Sequence, residues 1–328
     1  MADMKLPDRK KLWGRAARMC AFPGCKTKLT DDDGENLSGE ECHIVASSEN
    51  GPRGDINFPE EKRNAYDNII LLCPNHHQVI DAHTDIYTIA KLHQMKKEHE
   101  DWVEKQLSTD DVQQQQEIEF YAEFIQDFCD KINIDNWDEW MQRLLLSGQP
   151  SLCVRDYNRM IEIERIIFTC IWPSSYKEIK SAFINFRLVL NDLLTTFTSH
   201  AVQVGPPDYR LYQTKKYYKS NDGSYFREDL VSDFNFHVAL VQDLALELTR
   251  AANYICDVIR KSFDYKFRLN AGKLTITSGP YADATFHTAI PEYSTSERQN
   301  PNMYPGLDQF MIIREKRDVH FGSGNCPK

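Results

Sequence analysis

At 328 residues and 41% hydrophobic content, the chain is long enough for two domains with real cores. No apolar run reaches the roughly eighteen residues of a membrane span, so a membrane-spanning helix is excluded. A formal net charge of −10 argues against a DNA binder that works through overall charge, and confines any nucleic-acid contact to a local surface.

The first predicted element is a helix with Lys10, Lys11, Arg15 and Arg18 on one side and Leu12, Trp13 and Ala17 on the other. Its basic face suits contacts to a phosphate backbone, although such faces are often merely solvated. Next comes Cys20-x4-Cys25 around Ala21-Phe22-Pro23-Gly24, whose Pro-Gly pair supplies the backbone angles of a ligand knuckle. A second short-spaced pair follows at Cys73-x2-His76. Two such pairs, drawing on thiolate and imidazole, fit a tetrahedral structural Zn2+ held by Cys20, Cys25, Cys73 and His76. Ordinary buried thiols are the blander reading. A disulfide framework fits poorly, because the nine cysteines are odd in number and thinly spread, and no signal peptide is seen. A cytoplasmic protein is therefore expected.

Between the pairs, Glu41-Cys42-His43-Ile44-Val45 reads as a strand. Arg53 sits in the loop Gly51-Pro52-Arg53-Gly54-Asp55, where it either clamps a phosphate or pairs with Asp55. Asn68 precedes the apolar run Ile69-Ile70-Leu71-Leu72, in a loop where an amide can brace a neighbour. His77 follows His76 directly, so on a helix the two imidazoles diverge by about 100° and can serve different cavities. Asp81 lies one turn beyond His77 on the same face. His83, His93 and His99 lie off these motifs and read as surface residues.

In that order, His43, Asn68 and His77 resemble the His-Asn-His triad of HNH endonucleases. The likeness covers about residues 9 to 107, and is closest to the zinc-stapled HNH domains of bacterial anti-phage effectors of the HNH–SAVED type. The resemblance implies a ββα-metal fold and hydrolysis of phosphodiester bonds in double-stranded DNA. It makes His43 the general base and Asn68 the brace of the His43 imidazole or of its loop. His77 and Asp81 become ligands of a catalytic divalent ion, Mg2+ or another such as Mn2+ or Ni2+. Many members carry Asp or His just before the base, where this chain has Cys42. A thiol suits Mg2+ poorly, so Glu41 or water fills that position, the metal is a softer one, or Cys42 is simply core.

Tyr87 to Leu107 is a charged amphipathic helix that closes a nuclease domain of residues 1–107. Ser108 to Gln116 reads as a linker or the exposed start of another helix. Residues 108–328 are mainly helical, with apolar spacing of three and four over Gln116–Ile132, Asn136–Leu146, Val154–Trp172, Tyr176–Val202 and Leu230–Phe263. Breaks fall at Gly148-Gln149-Pro150, Pro173 and Gly205-Pro206-Pro207. A hairpin is expected over Phe267–Thr277, turning at Asn270-Ala271-Gly272. The fold class is thus α+β: an N-terminal ββα-metal domain with a zinc, then a mainly α-helical domain with a small β-hairpin.

The second region shows no likeness to the SAVED sensor and no catalytic motif. Arg314-x5-His320 superficially resembles the HEPN ribonuclease motif, a pattern common by chance. Lys215, Lys216 and Lys219 interleave with Tyr217 and Tyr218, which suits either nucleic-acid contact or amphipathic packing. The reading is of a regulated anti-phage DNA endonuclease whose helical region oligomerises with itself or meets an activating ligand or partner protein. A zinc-knuckle adaptor without catalysis is the alternative.

Overall fold

A computed structural model describes residues 4–25, 27–30, 38–107, 109–145, 148–206, 208–220, 225–280, 283–300 and 302–322. The chain divides into two units, Met1–Asp127 and Phe128–Lys328. The expected first linker residue Ser108, the helix end at Leu146 and the Pro207 break lie outside the described residues.

In the first unit, α1 (Leu6–Arg15) carries Pro7 in its first turn, where the fixed φ of proline suits a helix start. It packs Leu12 and Ala16 into a core with Cys20, Leu29, Ile44, Leu72 and Leu92. β1 (Glu40–His43) runs antiparallel to β2 (Ile69–Leu72), pairing Cys42 with Ile70 and His43 with Ile69. All four residues of β2 are buried, which explains its unbroken apolar sequence. Their connection carries one turn, α2 (Glu60–Arg63), and a 3-10 turn, Tyr66–Asn68. Cys73 caps α3 (Pro74–Ala82), again with proline in its first turn. Strand, strand and helix form the ββα unit. Thr88 then accepts the Lys91 amide to start α4 (Ile89–Gln106). α5 (Thr109–Ile132) follows, so the stretch after Leu107 is the start of a helix.

The second unit is built on α9 (Val231–Ser262). Every residue from Leu240 to Asn253 is buried, as expected of a helix covered on all sides. Around it lie α6 (Trp137–Leu145), α7 (Val154–Thr169) and α8 (Lys177–Thr198), with α8 its main partner. The shorter elements are β3 (Ser151–Cys153), β4 (Ala201–Val204), β5 (Leu211–Thr214), β6 (Ile276–Ser278), β7 (His287–Ala289), α10 (Thr295–Arg298) and α11 (Leu307–Ile313). β3, β5 and β4 form an antiparallel sheet in that order.

Three sequence expectations need correction. The helix drawn to Val202 ends at Thr198, and Ala201–Val204 becomes β4. The helix drawn to Trp172 ends at Thr169, ahead of an extended Cys170. The hairpin lies at β6–β7, pairing Ile276 with Ala289, and not at Phe267–Thr277. Arg268 has φ 53°, which no strand accommodates. Moreover, both backbone groups of Leu274 bond the side chain of Asn253 on α9. Among the described residues, no helix is long and apolar enough to cross a membrane.

Candidate active site and metal centre

The loop after α1 folds back through a bridge between Met19 and Lys28, and the Ala21 amide donates to Leu71 of β2. This brings Cys20 and Cys25 beside the start of α3. Gly24 takes φ 76° in the knuckle, an angle that glycine adopts without strain. Cys20, Cys25, Cys73 and His76 place one donor atom each within 4.8 Å of one another. His76 Nδ1 lies 3.2 Å from Cys73 Sγ and 3.5 Å from Cys20 Sγ, while Phe22 stacks on its ring at 3.9 Å. Burial pushes the Cys20 thiol up to about 12, the opposite of what thiolates sharing a cation would show. Three thiols and one imidazole are a donor set that can hold zinc.

The second group is built on β1. Strand alternation separates Glu40 and Cys42 from Glu41 and His43. Glu41 accepts from Arg9 at 2.9 Å and from Trp13 Nε1 at 2.8 Å on α1, so it does not occupy the coordination position considered for it. Glu40 does face α3: its Oε2 lies 2.5 Å from His77 Nδ1. Glu40, Cys42 and His77 again bring donor atoms within 4.8 Å. Cys42 is buried in the core, which drives its thiol well above the ordinary range.

His43, half-buried at the end of β1, places Nε2 at 2.8 Å from Asn64 Oδ1. Asn64, and not Asn68, touches the imidazole. Asn68 is buried and shapes the loop: it accepts from the Val45 amide at 2.9 Å and donates to Val45 O at 2.9 Å and Arg63 O at 2.8 Å. Arg63 in turn donates to Ala46 O at 2.6 Å and Asp55 O at 2.8 Å, tying the loop to its base.

Arg53 corrects the phosphate-clamp expectation and its Asp55 alternative. Its side chain is 4% exposed and pairs with Asp81 at 2.5 Å. It also donates to Ile44 O at 2.9 Å and Ile80 O at 2.7 Å. The fork is spent on joining β1 to α3. Asp81 Oδ2 lies 3.3 Å from His77 Nε2, so the ring stands between two carboxylates. On α1, Lys11 and Arg15 lie over the Tyr66 ring, and Arg15 also approaches Glu119 at 3.6 Å. The basic face is thus partly turned onto the unit's own surface. His99 is not free at the surface but contacts Ala16 O at 3.1 Å.

Residues 20–84 match the HNH endonuclease family. The matched segment contains the knuckle, β1, Asn64, Asn68 and all of α3, and excludes α1 and α4. No curated protein matches the chain. Within the HNH segment, sequence reading missed Glu40 and Asn64. Glu40 had a signal, since period-two alternation puts it beside Cys42; Asn64 lies in an irregular turn and had none.

Proposed function

We propose that this protein is a metal-dependent endonuclease that hydrolyses phosphodiester bonds in double-stranded DNA. The observation that carries the reading is the placement of His43, held by Asn64, on the same short strand as Cys42 and Glu40, which face His77. With Asn64 Oδ1 accepting, Nε2 of His43 carries hydrogen and Nδ1 is left to take a proton. His43 removes that proton from water as the water oxygen attacks phosphorus and the bond to the 3′ oxygen breaks. His77 would anchor a divalent ion, which would supply positive charge to the scissile phosphate and the departing oxygen. Cys20, Cys25, Cys73 and His76 hold Zn2+ as a structural staple. Lys10, Lys11 and Arg15, none of them fully buried, contribute phosphate-backbone contacts.

The test is cleavage of plasmid DNA by purified protein with and without added Mg2+ or Mn2+, beside His43→Ala. Loss of cutting on removing the ion and in the variant supports the reading. A well-folded protein that never cuts is the result expected of a zinc-knuckle adaptor.

The same proposal places the enzyme in cytoplasmic anti-phage defence, controlled through residues 108–328. Support comes from the resemblance to defence effectors and from an apolar stripe on the second unit. Ile161 and Phe168 lie two turns apart on α7, near the 91% exposed Ile171, with Leu188 also exposed on α8. Arg187 packs over Phe168 and pairs with Glu164, joining the two helices. Such a stripe suits a homodimer core, which would bring two sites to one duplex. Light scattering of the full chain and of Phe168→Glu decides it: a wild-type monomer at micromolar concentration rules this out.

A further inference from the structure

His77 presents one ring nitrogen to each of two carboxylates, Glu40 at Nδ1 and Asp81 at Nε2. An imidazole that binds an ion through one nitrogen carries hydrogen on the other and donates it, commonly to a carboxylate. The two carboxylates therefore cannot both share an ion with His77. The surroundings of each side differ. On the Nε2 side, Asp81 is already paired at 2.5 Å with the buried Arg53, a fixed positive charge that would repel a divalent cation. On the Nδ1 side no cation is paired with Glu40 among the described residues, and Cys42 adds a third donor within 4.8 Å.

Resting on the endonuclease reading above, we propose that the catalytic ion is held by Glu40, Cys42 and His77 Nδ1. Asp81 is then a positioning residue: it accepts the Nε2 hydrogen of His77 and is itself fixed by Arg53. Arg53 also bonds Ile44 O, next to His43. One buried arginine thereby sets the orientation of the metal-binding histidine relative to the strand that carries the base. A carboxylate, a thiol and an imidazole favour Mn2+, Co2+ or Ni2+ over Mg2+, which prefers oxygen donors alone.

The experiment uses full-length, zinc-replete protein titrated with Mn2+, following the free-ion electron paramagnetic resonance signal, with zinc content as a folding control. Glu40→Gln should weaken Mn2+ binding by about 100-fold or more. Asp81→Asn, whose amide oxygen still accepts the His77 hydrogen, should weaken it by no more than about tenfold, the mild end for an outer partner. With Co2+, the wild type should gain a sulfur-to-metal charge-transfer band that Cys42→Ser lacks. An Asp81→Asn loss equal to or larger than that of Glu40→Gln overturns the ligand assignment, and an absent band removes Cys42 from it. DNA cleavage is scored separately. Reversed ranking in a protein that cuts DNA sinks this inference alone; the expected ranking in one that never cuts sinks only the endonuclease reading.

Discussion

The two units are stabilised in different ways. The first has four-residue strands and a nine-residue α3, and its loops are tied down by side chains with specific chemistry: Cys20, Cys25, Cys73, His76, Asn68, Arg53 and Arg63. The second is organised by burial, with α9 sheathed along its middle by α6, α8 and their neighbours. In the first, replacing one named residue should remove a whole structure; in the second, most apolar positions tolerate another apolar side chain of similar volume.

The largest expected effect tests this directly. Chelation of zinc, or Cys73→Ser, should unfold the first unit, because binding energy in such sites is folding energy, roughly 10–16 kcal/mol. Hydrogen exchange read by mass spectrometry should show lost protection in Met1–Asp127 and unchanged protection along α9. Equal loss in both would break the comparison. Second, on the proposed role of His43 as proton acceptor, His43→Ala should reduce DNA cleavage by about 10²–10⁴-fold without changing zinc content or exchange protection. Third, Asn68→Ala should cost on the order of 3 kcal/mol in denaturant melts, since it strands Val45 N, Val45 O and Arg63 O. A loss below about 1 kcal/mol would show that water replaces the amide.

The fourth prediction concerns pH and the second unit. Burial, helped by His200, pushes His237 down to about 4. Above about 6.5 the ring is neutral in folded and unfolded chains alike. As pH falls towards 4 only the unfolded chain takes up the proton, so stability is lost. Asp243 is pushed up to about 6 by burial, against the opposing hydrogen bond from the Phe321 amide and the charge of Arg314. Between about 6 and 3.8 the folded chain binds the extra proton, so this group favours folding as pH falls. The two oppose each other. His237→Leu should therefore gain roughly 2 kcal/mol relative to wild type between pH 7 and pH 5, checked by urea melts at both. A constant difference would show that His237 is protonated in the folded state. The smallest effect should come from Asn64→Ala, about tenfold in cleavage with a shifted pH profile, because its Oδ1 orients His43. Instability like that of Asn68→Ala would merge their roles.

The same contrast explains what could be read from sequence. Ligand positions are legible because few residue types bind metal: the two short-spaced pairs and the adjacent histidines name their own partners, and a helix sends His76 and His77 to different cavities. Glu40 went unread because Glu41 is equally acidic, and only the facing of the strand decides between them. Arg53 was misread because an arginine in a glycine-rich loop looks alike whether it turns outward or, as here, into the domain. Gly54 shows how tightly that loop turns, since a Cβ there would meet Glu49 O at 2.1 Å. In the second unit the long amphipathic helices were legible from periodicity. The β4 segment was not, because Ala201-Val202 continues the apolar spacing of α8, nor was the hairpin shift, which depends on Asn253 from a distant turn. No ligand could be read for this unit from its sequence, because burial selects size and polarity, and neither encodes a ligand.

His76 and His77 are neighbours on the first turns of α3, one in each donor group. Because the two groups share a turn of helix, loss of the Cys20, Cys25, Cys73 and His76 group would disturb the other, although the second can be emptied without the first. Oxidation of Cys20 or Cys73, or scarcity of zinc, would release His76 and with it the orientation of His77 towards Glu40. On the proposed endonuclease reading this coupling would act as a fail-safe, because a metal-starved or oxidised chain would lose its cutting site together with the fold of the first unit.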